Sequence, residues 1–528
     1  MSHKPEKLFG TSGIRGTIKS KMTPSLCSKI GLTAASFFGE DSTILLARDH
    51  RPHATIVYHS LISGLLAGGV NILDCGIAPT PAVLFALKKL KYDGAIVVTG
   101  SHTPSEIVGI LIFKEDTSEL SKTESKEFED ILYEERYEIM QWNKTGYIEP
   151  IDIFDIYAES VLSLVNLQKV EGRKVAVDPG NGASSVILRE ILELANIRVV
   201  AINDTLDPHF PHRDPFPRPD NLKDLSTITK GFLADIGVGV DGDGDRAIFA
   251  DENGNILWGD ITGSLFIIDA LKRKKTKNVV VTINTSAITE WAAKKFGGTV
   301  IYSGVGPPAI AESMKKNNAY FGIEESGKYL WSDAIYYGDA ALATLRLLEI
   351  LDIEGKPLSE LISEFPKFYM EKVAISCPDK LKDFVLVRAF EEWQERHKPA
   401  KVLPSDGIKF MYKDSSWVLF RPSGTEPVFR VFAESMDKER TKELIKESVA
   451  LVKELIKRGF FKLGAAETLE STFKGNWNIS PEEFLEVIKK KAAVAEAAAR
   501  AGAVIGDATP EAVSYTHLRA HETRHDLV

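Results

Sequence analysis

Short runs of β-branched and aliphatic residues alternate with longer amphipathic stretches over most of this chain. Residues 42–47 (STILLA) predict a strand, 54–68 a helix, 71–75 (NILDC) a strand, 81–90 a helix and 94–99 (GAIVVT) a third strand. That βαβ rhythm predicts parallel sheet with helices on its faces. It returns at 174–178 (KVAVD), a strand ahead of a glycine-containing turn and a helix from about Ser184. It returns again at 236–240 (IGVGV), which runs into an acidic loop, and at 278–283 (NVVVTI), which runs into Asn284-Thr285-Ser286 and a helix. The acidic stretch 114–144 reads as a helical exit from the first unit. From about Phe368 the pattern changes to short strands near 409–412 and 417–420, then one long helix over 438–457.

The expected organisation is three successive α/β domains, at 1–150, 151–256 and 257–367, and a smaller α+β domain at 368–460. Residues 461–528 form an extra C-terminal stretch, helix-like and Ala-rich at 491–499, then changed in composition. Its last fifteen residues hold three of the eleven histidines, His517, His521 and His525, four apart and therefore on one face if helical. A metal site there is one reading. A disordered tail is the other, and the run also looks like a translated adapter read, partly non-native.

Composition narrows the function classes. At 528 residues the chain is long enough for three or four domains. Basic and acidic residues number 65 and 74, net −9, which favours no nucleic-acid partner but leaves anionic small substrates open, because local charge governs a site. Cys27, Cys75 and Cys377 are too far apart for a disulfide framework or a zinc pattern, as in a reducing cytosol. No apolar run reaches signal length or the roughly eighteen residues of a membrane span. The expectation is a cytoplasmic protein without a membrane partner.

Four segments carry chemistry. The first, Thr99-Gly100-Ser101-His102-Thr103-Pro104, follows a strand directly, where α/β proteins place ligands. Ser101 is expected exposed there; alone, the segment is an ordinary polar turn. The second, Asp241-Gly242-Asp243-Gly244-Asp245-Arg246, sets three carboxylates at alternate positions between glycines, a hard-cation donor set for Mg²⁺ or Ca²⁺. A calcium EF-hand loop also begins this way, and Glu252 stands at its twelfth position. The strand before the loop, Arg246 at the sixth position and a second strand at 247–250 all argue against it. The third, Gly322-Ile323-Glu324-Glu325-Ser326-Gly327-Lys328, offers acceptors suited to sugar hydroxyls, or is simply a solvated turn. The fourth, Arg421-Pro422-Ser423-Gly424-Thr425-Glu426-Pro427, has the composition of a phosphate cradle, or of a capped loop into the strand 428–433.

In this order and spacing, these segments resemble the α-D-phosphohexomutase family over about residues 7–458. The opening Leu8-Phe9-Gly10-Thr11-Ser12-Gly13-Ile14-Arg15-Gly16 resembles that family's N-terminal signature, and 47–52 (ARDHRP) and 178–182 also look familial. The style is closest to archaeal phosphomannomutase/phosphoglucomutase and phosphoglucosamine mutase. The resemblance implies a central cleft with one site loop from each domain, and a fourth domain able to rotate over substrate. It implies phosphoryl transfer between the 1- and 6-positions of a hexose phosphate through phosphorylated Ser101 and a hexose 1,6-bisphosphate. Asp241, Asp243 and Asp245 would hold Mg²⁺ against the phosphoserine, and Arg15 and His102 would line the reaction centre. Arg246, Glu324 and Ser326 would meet the sugar; Arg421, Ser423, Gly424 and Thr425 would bind the distal phosphate.

The chain departs from the family pattern at several positions. Gly100 and Thr103 stand where Ala and Asn are usual. In place of Asn-Gly-x-Lys it has Val108-Gly109-Ile110-Leu111, so the expected lysine is Leu111; Lys114 is expected to point to the other face of its strand. In the sugar loop, Ile323 replaces Gly and Lys328 replaces His, which would bring a new cation to the cleft. Mannose or glucose phosphate is the favoured substrate, with glucosamine phosphate as the alternative. A weakened or non-catalytic sugar-phosphate binder and a metal-dependent phosphatase are the readings from other classes.

Overall fold

The computed structural model describes residues 7–273, 277–424 and 426–473, with side chains to residue 460 of the last stretch. Two compact units emerge, Met1–Ile456 and Lys457–Val528, and the first carries four sheets. His517, His521, His525 and the stretch 491–499 lie outside the described residues.

The first sheet runs, in spatial order, Ile14–Gly16, Val108–Lys114, Gly94–Val98, Thr43–Arg48, Asn71–Ile77, Ile148–Pro150. The second orders Ile256–Leu257, Ala247–Ala250, Ile236–Val240, Lys174–Asp178, Arg198–Ala201, and the third Thr299–Ser303, Asn278–Thr282, Phe321–Glu324, Lys328–Trp331. These are three α/β domains with mixed sheets. The central βαβ pairs are parallel, as the hydrophobic pattern predicts. Each sheet also folds one strand back as an antiparallel hairpin: Gly94–Val98 on Val108–Lys114, Ile236–Val240 on Ala247–Ala250, Phe321–Glu324 on Lys328–Trp331. The connecting loops are too short for a crossover helix, so the next strand has to return antiparallel. Each hairpin loop is one of the chemistry-bearing segments, and the sheet's parallel neighbours hold its base.

The fourth sheet, Tyr369–Ser376, Val428–Ser435, Trp417–Pro422, Gly407–Met411, Lys401–Ser405, is antiparallel throughout. With helices Asp379–His397 and Lys438–Phe473 it forms the α+β domain. That last helix runs well past the expected end at 457.

Two further expectations are corrected. In 114–144 only Lys122–Tyr133 is helical, started by a capping box in which Ser121 and Glu124 satisfy each other's backbone amides. The helix expected from Ser184 is one 3₁₀ turn, Ala183–Val186, broken at Ile187 and resumed as Leu188–Leu194. Cys27, Cys75 and Cys377 are free thiols. No helix among the described residues is long and apolar enough to cross a membrane.

The fourth domain docks on the third through a buried lysine. Lys409 donates to the Thr285 carbonyl at 3.0 Å and sits 3.7 Å above the Trp417 ring. Beside it Glu434 accepts from the Ala287 amide (2.7 Å) and Trp417 Nε1 (2.6 Å). Burial, opposed by nearby carboxylates led by Glu434, pulls the Lys409 amine from 10.5 down to about 8. Between those values the unfolded chain binds the proton and the folded one does not, so stability must rise with pH across that window. Compared with Lys409→Met, the wild type is expected to gain up to about 3 kcal/mol between pH 7.5 and 10, measured by thermal unfolding at each pH.

Candidate active site

Strand Gly94–Val98 delivers Thr99, Gly100 and Ser101 into a loop closed by Val108. Ser101 is only 1% exposed, contrary to the exposed position expected for it, because the metal loop of the second domain covers it. It has a left-handed backbone (φ 48°), a conformation that persists only where the surroundings enforce it. Two residues from the strand–helix turn after Thr43–Arg48 do the enforcing. Asp49 accepts from the Gly100 amide (2.8 Å), Thr99 Oγ1 (3.1 Å) and the Arg51 amide (3.1 Å). Arg51, fully buried, donates to the carbonyl oxygens of Ser101 (2.9 Å), Thr103 (2.8 Å), Pro104 (2.6 Å) and Ile107 (2.6 Å).

That clamp explains Gly100. A Cβ there would overlap the Arg51 guanidinium and the Ile107 carbonyl. Thr103, the other departure in this segment, closes the turn by donating from Oγ1 to the Gly100 carbonyl at 2.6 Å.

The acidic loop joins Ile236–Val240 to Ala247–Ala250 directly beneath the serine. Gly244 takes φ +85°, and a Cβ on Gly242 would strike the Ser101 carbonyl oxygen, so both glycines are required by geometry. Asp241 Oδ1 accepts from the amides of Gly244, Asp245 and Arg246, each at 3.1 Å. Its Oδ2 accepts from Ser101 Oγ at 3.2 Å and Arg246 Nη1 at 3.3 Å. Asp243 is held from the first domain: Thr80 Oγ1 donates to its Oδ2 at 2.8 Å, and the Thr80 amide to its carbonyl at 3.0 Å. One oxygen from each of Asp241, Asp243 and Asp245 lies within 4.8 Å of the others, and all three residues are buried. The EF-hand reading fails here: Glu252 accepts from the Ser359 amide at 3.2 Å, away from the triad.

The electrostatics are those of crowded acids in a dry site. Burial, then the charges of Asp245 and Asp243, pushes Asp241 well above the usual carboxylate range. Asp243 is raised for the same first reason. At Asp245 burial also pushes upward, but Lys328 and Arg246 outweigh it and hold the carboxyl at about 2. Burial, then Arg246, Arg15, Lys328 and Arg51, drives His102 far below its ordinary value, so the imidazole is neutral. Its Nδ1 lies 3.3 Å from Ser101 Oγ.

Arg15 pairs with Gly109 across the first sheet, and its stem lies where a Cβ on Gly109 would be. In the sugar loop, Ser326 Oγ donates to Glu324 Oε1 and accepts from Arg246 Nε at 3.2 Å. Arg246 Nη2 stands 3.7 Å from Glu324, so one guanidinium spans the acidic loop and the segment 322–328. In the phosphate loop, Asp406 Oδ2 accepts from Arg421 Nε (2.9 Å) and Nη2 (2.7 Å). Buried Lys382 donates to the carbonyls of Ser423 (2.5 Å) and Glu426 (2.6 Å). Gly424 faces the Thr11 methyl, 3.6 Å from where its own Cβ would be. Thr425 lies outside the described residues.

Leu111 is fully buried core, packed beneath Gly13 of the opening signature. Lys114 is turned away, its Nζ donating to Glu124 at 2.9 Å. Ile323 points into the third domain's core against Gly263, so that departure leaves the site untouched. Sequence reasoning assigned no role to several residues. Asp49 and Arg51 sat in a segment marked only as familial, although an acid and a base two apart at a strand–helix turn are a usable signal. Thr80, Lys382 and Asp406 gave none. Glu119 is buried, accepts from Ser12 Oγ at 2.7 Å and is raised by burial to about 6.

Models of the four phosphoglucomutase/phosphomannomutase domains match this chain in order. Alpha/beta/alpha domain I matches residues 6–138, domain II 155–254, domain III 258–369 and the C-terminal domain 373–451. A phosphoglucomutase/phosphomannomutase of Thermococcus kodakarensis is 36% identical over 458 residues, covering 85% of this chain and 99% of its own. A phosphoglucosamine/phosphogalactosamine mutase of Sulfurisphaera tokodaii is 33% identical over 453 residues, covering 84% and 99%. The crystal structure of a phosphoglucomutase/phosphomannomutase family protein from Burkholderia thailandensis superposes with a TM-score of 0.75 at 25% identity, covering 85% of this chain and 97% of that one. The chain therefore belongs to the phosphoglucomutase/phosphomannomutase family of intramolecular phosphotransferases.

Proposed function

We propose that the chain is a magnesium-dependent phosphohexomutase that exchanges hexose 1-phosphate and hexose 6-phosphate through phosphorylated Ser101. The carrying observation is Ser101 Oγ held 3.2 Å from Asp241 at the mouth of a buried triad of carboxylates. The triad suits a hard divalent cation. It is all oxygen, converges within 4.8 Å, and leaves Asp243 Oδ1 buried without a hydrogen-bond partner. Asp241, Asp243 and Asp245 would hold Mg²⁺, whose chemistry there is neutralisation of charge on the transferring phosphoryl group.

The residues of the chain perform the rest. A sugar hydroxyl attacks the phosphorus of phosphoserine; the bond to Ser101 Oγ breaks, the proton lost by the hydroxyl ends on the released Oγ, and a 1,6-bisphosphate results. The bisphosphate turns round, Ser101 Oγ takes the other phosphoryl group, and the isomeric monophosphate departs. His102, 3.3 Å from Oγ, orients that hydroxyl by a hydrogen bond. Arg15 offsets charge on the transferred group. Glu324 and Ser326 accept from sugar hydroxyls, and Arg246 ties them to the metal loop. Arg421, aimed by Asp406, binds the distal phosphate with Ser423, Gly424 and Thr425, which lets either end of the sugar face Ser101. A hexose 1,6-bisphosphate is thus both intermediate and activator.

The relative of 36% identity named phosphoglucomutase/phosphomannomutase supports glucose or mannose phosphate as substrate; the 33% relative named for hexosamines supports glucosamine phosphate as the second choice. Free thiols at Cys27, Cys75 and Cys377 support a cytoplasmic location. The net charge of −9 supports neither a nucleic-acid nor an anionic-membrane partner.

The test is a ³¹P NMR time course with glucose, mannose or glucosamine 1-phosphate, Mg²⁺ and a trace of the matching bisphosphate. A 6-phosphate signal growing at the expense of the 1-phosphate is expected, fastest for glucose or mannose. Release of inorganic phosphate alone would replace this reading with a phosphatase, and unchanged substrate in every case would leave a binding protein.

A further inference from the structure

The triad already has a cation supplied by the chain. Lys328 opens strand Lys328–Trp331, opposite Glu324 in the hairpin. Its side chain is 1% exposed and its Nζ lies 2.5 Å from Asp245 Oδ2. The ammonium stands 4.3 Å above the Tyr337 ring, so one side meets an aromatic face and the other a carboxylate. Gly338 makes this seat: a Cβ there would overlap the Lys328 stem and the Asp245 carbonyl. The triad then has one fixed cation at Asp241, where Arg246 Nη1 sits at 3.3 Å, and a second at Asp245.

We propose that Lys328 is a resident counter-cation of the metal site, which keeps the three carboxylates assembled without a divalent ion and lowers their affinity for one. The inference rests on reading Asp241, Asp243 and Asp245 as the metal site. An ammonium at 2.5 Å occupies one oxygen of Asp245. A divalent ion entering the triad therefore meets a fixed positive charge a few ångströms away in a dry, weakly screening environment. The same lysine offsets part of the repulsion between the three carboxylates.

Calorimetric titration of the full chain with Mg²⁺ tests this without any turnover assay. Lys328→Met is expected to bind Mg²⁺ about tenfold more tightly than wild type or better, and Lys328→Arg, which keeps the charge, with wild-type affinity. In chelator, Lys328→Met should unfold at a lower temperature than wild type, and Mg²⁺ should restore it. Equal or weaker Mg²⁺ binding by Lys328→Met overturns the proposal while leaving the metal site intact. Absence of Mg²⁺ binding by wild type removes the metal reading and the proposal with it.

Discussion

Ser101→Ala is expected to lower mutase turnover by about 10⁴-fold or more, in both directions and for every hexose phosphate. Each half of the exchange passes through Oγ, which lies 3.2 Å from Asp241. The fold should be nearly indifferent. Alanine meets the same cost as serine in the left-handed conformation, and the lost hydrogen bond to Asp241 is worth about 1 kcal/mol. Sugar-phosphate affinity should be retained, because Glu324, Ser326 and the phosphate loop are untouched. Intact-mass spectrometry after incubation with bisphosphate should show phosphorylation of wild type and not of the variant. Turnover within tenfold of wild type, roughly 1.4 kcal/mol of barrier, would remove Ser101 from the reaction.

Arg51→Met is expected to be the most damaging substitution outside the reacting groups, destabilising by about 3–5 kcal/mol in denaturant unfolding. Four carbonyl oxygens converge on this one buried guanidinium, and Asp49 is paired with it at 3.3 Å. Methionine fills the volume but leaves the buried carbonyl acceptors without their donor and the buried Asp49 without its counter-ion, which costs more than the interaction itself contributes. A lysine at this position would keep the charge but not the planar fork, so Arg51→Lys should recover only part of the loss. Phosphorylation of Ser101 by bisphosphate should fall in both variants, since Arg51 holds the serine's own carbonyl. A variant that unfolds at the wild-type denaturant concentration would show that the loop is held by other means.

The parts of this site that could be read in advance are those whose chemistry is local in sequence. Asp241, Asp243 and Asp245 converge because alternate residues of one glycine-bearing turn necessarily lie close together. The three α/β domains followed from hydrophobic periodicity alone. Three things were not legible. The antiparallel return of each site hairpin depends on loop length, which the strand pattern does not display. The burial of Ser101 depends on another domain lying over it. Arg51 under the serine and Lys382 under the fourth segment act across tens of residues on backbone carbonyls that any sequence possesses, and Asp406 reaches the Arg421 guanidinium from a separate strand connection. Leu111 was the hardest case. It stands where a lysine was expected, and its side chain is core packed beneath Gly13.

The grip of Thr80 on Asp243 makes the acidic loop joint property. Two bonds from the start of a first-domain helix fix a side chain of the second domain, and the second domain's Gly242 leaves just enough space for the first domain's Ser101 carbonyl. Ser101 and the acidic triad are therefore heritable only together. Recombination that exchanges one domain for a paralogue's, in nature or at the bench, has to carry Thr80, Arg51 and the glycines of the acidic loop as a matched set, and a joint between the first two domains is a poor place to cut and splice this enzyme.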